Sequence, residues 1–373
     1  MSSKAPHTET TQFLILCSIL SPFTTSPNNQ LIQKADSFEL IKLASKHLVT
    51  PLLHYCVQQK KLHHLFSQIE LDYLAEIYLN NKARNQQALH EAQKISQTLK
   101  SQGHSAIFLK GLALLLDDTY PDMSTRVIGD IDILLGQDAI AAQNHLLSRG
   151  FEELKDPLQP LPINCHHLTP LHNPCDAFSI EIHFNPLAEA NNNIVTAGQV
   201  FTDRVTEEEL LIPSEAHRFI IALMHHEVSD NRKNSHQIDL RHILDCSYLL
   251  HKNHDLIQDT SPIFKAFSFS KIQADFIDLL SYLELYNTCE SSNSRIMKKP
   301  QQRVIKATTP LSELNIAQQV LKKFIDSWSS PLPNDQNPIN YRVKNHARLI
   351  YKYCHPERWR TLIQSIKTRH KSD

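Results

Sequence analysis

Apolar positions recur at helical spacing through most of the chain. Ser37 to Lys46 and Val49 to Gln59 each carry a helix-spaced apolar face, and Pro51 suits the first turn of the second. Ile69 to Ser101 reads as one long helix, or two in line. Its stripe includes Leu71, Leu74, Ile77, Leu89, Ile95 and Leu99, and Gly103 is a natural stop. The run from Phe13 to Leu20 is too short to span a bilayer. Only Lys4 precedes it, with Glu9 against, so it lacks the basic flank of a signal peptide. It predicts a core helix and no membrane partner.

Between about 104 and 212 the pattern changes to short apolar runs. Ser105 to Leu109 predicts a buried strand, Lys110-Gly111 a turn, and Leu112 to Leu116 a helix. A strand opens at Asp130, a helix follows over Asp138 to Arg149, and Gly150 ends it before a strand from Phe151. Residues 154–176 form a Pro-rich insertion, and Phe178 to Phe184 is a further strand. From Pro213 helical spacing returns. Ser214 is a natural N-cap, Ile220, Ile221, Leu223 and Met224 supply a buried face, and Gln237 to Leu250 makes the next helix. Further helices are predicted over 264–286, 311–328 and 339–353. The expected organisation is a helical region over 1–103, an α/β (α+β) core over 104–212, and a helical region over 213–373.

Composition sharpens this only locally. With 38 basic and 39 acidic residues in 373, no global field selects a polyanionic partner. Six glycines argue against long flexible linkers and against a mostly β protein. Seven scattered cysteines suit reduced thiols in a cytoplasmic protein. The tail is different: Lys344, Arg348, Lys352, Arg358, Arg360, Lys367, Arg369 and Lys371 are interleaved with Tyr351, Tyr353 and Trp359. Such a stretch grips RNA or another polyanion, although solvated helix faces have the same composition. In the insertion, Cys165, His167, His172 and Cys175 offer a tetrahedral zinc set at a spacing that fits no common zinc motif. His166 and His167 are alternatively substrate contacts.

The candidate chemistry centres on Asp130-Ile131-Asp132. Side chains on a strand alternate faces, so the two carboxylates point the same way, roughly 6.5–7 Å apart. With no Lys expected beside them they repel, and a divalent cation resolves the repulsion. Mg²⁺ favours a few carboxylates plus phosphate oxygens. Gly129 lets the backbone turn before the strand. Backbone N–H groups after Lys110-Gly111 attract phosphate, Lys110 adds a point charge, and Arg126 offers a fork for a triphosphate.

The succession Leu109-Lys110-Gly111, a helix, Tyr120-Pro121-Asp122, Arg126 and Gly129-Asp-Ile-Asp-Ile-Leu-Leu135 resembles the DNA polymerase β-type nucleotidyltransferase superfamily. Within it, the chain resembles a bacterial group of uncharacterised nucleotidyltransferases over about residues 40–250. Most of the superfamily shows Gly-Ser where Lys110-Gly111 stands. The third carboxylate of that pattern matches Glu181, which shares a strand face with His183. The resemblance implies a mixed-sheet core and transfer of NMP from an NTP such as ATP to an acceptor, a small molecule, protein or tRNA. It implies Asp130, Asp132 and Glu181 as catalytic metal ligands for Mg²⁺, with Mn²⁺ as alternative. Lys110, Gly111, Arg126, Gly129 and His183 would hold the nucleotide. A degenerate nucleotide-binding module, or an interaction protein such as a toxin–antitoxin component, is the alternative. His225-His226 and Asp245 would either hydrogen-bond between helices or border a pocket. A His-Asp phosphohydrolase needs a contiguous His-Asp, and His225-His226-Glu227 departs from it.

Overall fold

The computed structural model describes residues 5–27, 29–154, 165–188, 193–228, 238–285, 300, 301, 303 and 304. The basic tail and the helices expected over 311–328 and 339–353 lie outside them. Four helices lead in: α1 (Ala5–Leu20), α2 (Asn29–Ile32), α3 (Ser37–Lys46) and α4 (Thr50–Gln59). Asp36 caps α3 by accepting from Phe38 and Glu39 N–H. The long helix forms unbroken as α5 (Gln68–Lys100), started by a capping box between Ser67 and Glu70.

The core then alternates strand and helix: β1 (Ile107–Phe108), α6 (Lys110–Leu116), β2 (Ile131–Leu134), α7 (Ala139–Ser148), β3 (Glu152–Glu153), β4 (Leu171–His172) and β5 (Ser179–His183). It closes with α8 (Ala197–Thr202), β6 (Val205–Glu207) and β7 (Leu210–Ile212). The seven strands form one mixed sheet in the order β3-β4-β5-β2-β1-β7-β6. β2 is central. It pairs parallel with β5 and antiparallel with β1, which pairs parallel with β7. One face packs on α7 and the second half of α5 through Phe108, Ile131, Ile133, Ile180, Ile182 and Leu146.

Helices α9 (Glu215–Val228), α10 (Leu240–Lys252), α11 (Leu256–Ala266) and α12 (Ser270–Tyr282) follow. Residues expected in one helix over 264–286 instead fall in two, because the chain turns at Ser268 with φ +63°. The helices before and after the sheet share one apolar core, in which Leu16 and Leu20 join Leu249, Leu280 and Leu283. Polar contacts reinforce it: Ser18 Oγ donates to Glu284 at 2.8 Å and Tyr248 to the Leu20 carbonyl at 3.3 Å. No helix among the described residues is long and apolar enough to cross a membrane.

Candidate active site

Parallel pairing of β2 with β5 sets Asp132 opposite Glu181 and Leu134 opposite His183. Residues in register share a sheet face, and period two puts His183 on the face of Glu181. Ile131, Ile133, Ile180 and Ile182 turn the other way into the core. The result is a tight group. His183 Nε2 lies 2.9 Å from Asp132 Oδ1 and 3.8 Å from Glu181 Oε2. One ligand atom from each of Asp132, Glu181 and His183 lies within 4.8 Å of the others. Two carboxylates and an imidazole at this spacing fit a divalent ion. Asp130 sits one residue before β2 and is not one of the three.

Lys110 alters the expected electrostatics. Its Nζ meets Asp132 Oδ1 at 2.6 Å, so the aspartate pair does have a lysine beside it. The antiparallel β1–β2 pairing continues to Leu109, whose N–H donates to the Asp132 carbonyl at 3.0 Å. Lys110 is therefore the next residue out. It has φ +51°, a left-handed conformation that costs a non-glycine residue energy and clusters at functional sites. Burial opposes charge on Lys110, but Asp132, Glu181 and Asp130 hold its pKa above the ordinary lysine value. Burial likewise opposes charge on Asp132, yet Lys110 and His183 hold it well below the usual carboxylate range. Burial and then Asp132 push Asp130 up. Burial lowers His183 to about 4, so its imidazole is neutral at pH 7.

Residues 166–168 run beside β5. Leu168 N–H donates to the Ile182 carbonyl at 2.8 Å and Phe184 N–H to the His166 carbonyl at 3.0 Å. This brings the His166 and His167 rings to 5.0 and 5.3 Å from that of His183. His167 is thus drawn to the aspartate site. Cys165, His167, His172 and Cys175 form no metal-capable group among the described residues; His172 is tied into β4 opposite Ser179, and Cys175 is exposed.

Arg126 is engaged by a carboxylate. Its Nε and Nη2 each sit 2.7 Å from one oxygen of Asp245, and both residues are buried. Tyr120 donates to the same carboxylate at 2.7 Å. Asp245 therefore pairs with Arg126 and Tyr120. His225 stacks on His242 with ring centres 4.6 Å apart, and His226 meets Glu227 at 2.9 Å. The guanidinium also lies beneath Gly111: a Cβ there would sit 3.5 Å from Arg126 Cζ, in ordinary contact. Nothing lies within 4 Å of a Cβ built at Gly129. A small cleft between α6, α9 and α10 is lined by Lys110, Leu114, Arg218, His225, His242 and Asp245, among others.

The sequence reading missed the residues that hold the segment before β2. Asn81, Arg84 and Asn85 share one face of α5 at i, i+3 and i+4. Asn81 donates to the carbonyls of Ser124 at 2.6 Å and Arg126 at 3.1 Å, and Asn85 to Arg126 at 2.8 Å. Arg84 donates to Ile128 at 3.0 Å and Gly129 at 3.2 Å, with its guanidinium over the Phe178 ring. The available signal was a polar trio at helix spacing in the long helix.

A family model described as an uncharacterised nucleotidyltransferase matches residues 33–266, more than half of the chain. No curated protein and no solved structure matches.

Proposed function

Because the chain belongs to the family of uncharacterised nucleotidyltransferases, we propose that it moves an NMP group from an NTP to an acceptor hydroxyl and releases pyrophosphate. The observation that carries this reading is the register of Asp132 with Glu181 on adjacent parallel strands, with His183 joining them. Asp132 and Glu181 hold a divalent cation, Mg²⁺ or Mn²⁺, and Asp130 adds its charge at the mouth of β2. Such an ion, when bound, offsets charge on the phosphates and orients them. The acceptor oxygen forms a bond to the α-phosphorus, the bond to the bridging oxygen breaks, and pyrophosphate leaves. Glu181 takes the hydroxyl proton. Lys110 moves its charge from Asp132 to the β- and γ-phosphates, and Gly111, with no side chain, allows their close approach. Gly129 leaves the approach to Asp130 open. Arg126 acts as an anchor to Asp245 rather than as a phosphate ligand.

The test is pyrophosphate release from each NTP with Mg²⁺ or Mn²⁺, with and without cell extract. Release that requires extract and is lost in Asp132→Asn and Asp130→Asn supports transfer. Metal-dependent NTP binding without release would favour the alternative of a degenerate nucleotide-binding or interaction module.

A further inference from the structure

The group formed by Asp132, Glu181 and His183 contains an imidazole, and this bears on the ion it takes. We propose that His183 is itself a metal ligand and that the site selects a first-row divalent transition ion over Mg²⁺. The inference rests on the reading above only in taking Asp132 and Glu181 as the metal-holding carboxylates.

Geometry is the first support. Ligands about 2.1–2.2 Å from an ion lie about 3.0 Å apart when adjacent and about 4.3 Å apart when opposite. His183 Nε2 is 2.9 Å from Asp132 Oδ1 and 3.8 Å from Glu181 Oε2, so one ion reaches all three once Lys110 Nζ, 2.6 Å from the same Asp132 oxygen, swings aside. Rigidity is the second. His183 is fully buried on β5 and packed against the His166 and His167 rings, so its ring plane is set by the fold. Its Nδ1 is buried with no hydrogen-bond partner. The Asp132 carboxylate holds the proton on Nε2 at 2.9 Å; an ion bound there would replace that hydrogen bond, with the proton on Nδ1 and the Nε2 lone pair on the ion. Ligand chemistry is the third. Mg²⁺ takes oxygen ligands and gives up water reluctantly, whereas imidazole nitrogen suits the transition ions. A mixed set of two carboxylates and one imidazole thus discriminates against Mg²⁺. A purely structural His183 that only donates to Asp132 would give no such discrimination.

The experiment uses the full chain stripped of metal and titrated with Mn²⁺, alone and against Mg²⁺, by electron paramagnetic resonance. Pulsed measurements on the Mn²⁺ complex detect a directly bound imidazole nitrogen. The expected result is a nitrogen coupling and Mn²⁺ affinity at least about tenfold above Mg²⁺. His183→Gln should abolish the coupling and lower Mn²⁺ affinity at least about tenfold, since loss of even an outer partner of a ligand costs 10–100-fold. Mg²⁺ affinity should change much less. No Mn²⁺ binding, no nitrogen coupling, a coupling that survives His183→Gln, or equal affinities would each overturn the inference. If that variant does not fold, the wild-type coupling decides. Absence of NTP-dependent pyrophosphate release with the coupling intact would instead defeat the transfer reading and leave this one standing.

Discussion

Replacing Asp245 by Asn separates two roles for Arg126. The pair is bidentate, with both N–O distances 2.7 Å, and Arg126 and Asp245 are 4% and 2% exposed. Removing one partner of such a pair leaves a buried charge uncompensated, at a cost of about 3–5 kcal/mol. Against a total stability of about 5–15 kcal/mol, that is a large fraction. At about 2–4 °C per kcal/mol, the melting temperature should fall by roughly 10 °C. Arg126→Met should cost a similar amount, because Asp245 then loses its bidentate cation and keeps the Tyr120 hydroxyl. The double variant Arg126→Met/Asp245→Leu removes both charges and should recover at least half of the loss. Urea unfolding followed by circular dichroism gives all three values. A cost below about 1 kcal/mol for Asp245→Asn, the range of exposed pairs, would refute the anchor. So would an Arg126→Met variant with unchanged stability and a raised KM for NTP, which would return Arg126 to the phosphates.

Arg84→Met keeps an apolar stem near Phe178 but strips the donors from the Ile128 and Gly129 carbonyls. It should cost roughly 2–3 kcal/mol and lower kcat for pyrophosphate release at least about tenfold with little change in KM. An unchanged kcat would show that Asp130 and Asp132 need no such support. Acid should weaken the fold through His183. Its folded pKa of about 4 lies below the ordinary 6.5, so the unfolded chain binds the proton first. The contribution is full above pH 6.5 and is lost as pH falls through 4. Urea midpoints should drop across that window, and His183→Gln should flatten the drop; equal slopes would contradict the assignment.

The site was legible where local periodicity decides it. Period two alone put Glu181 on a shared face with His183, because that relation spans two residues of one strand. Relations that depend on long-range pairing were not legible. Lys110 reaches Asp132 only because β1 and β2 run antiparallel, and Arg126 finds Asp245 across 119 residues. The β6–β7 hairpin was missed because Glu208 and Glu209 make its turn at φ +47° and +68° without a glycine. The break between α11 and α12 was hidden likewise, since Ser268 adopts a conformation that sequence reasoning reserves for glycine or asparagine. Helix bounds over Ser37–Lys46 were readable because Asp36 and the apolar spacing agree.

NMP transfer requires that the α-phosphate, not the γ-phosphate, leaves the NTP with the acceptor. The most direct measurement offers the full chain and cell extract NTP labelled at either phosphate, beside an Asp132→Asn control. The α-label should appear on an acceptor, the γ-label should leave as pyrophosphate, and the variant should do neither. Transfer of γ-label to the acceptor, or transfer of α-label that survives in the variant, would contradict it.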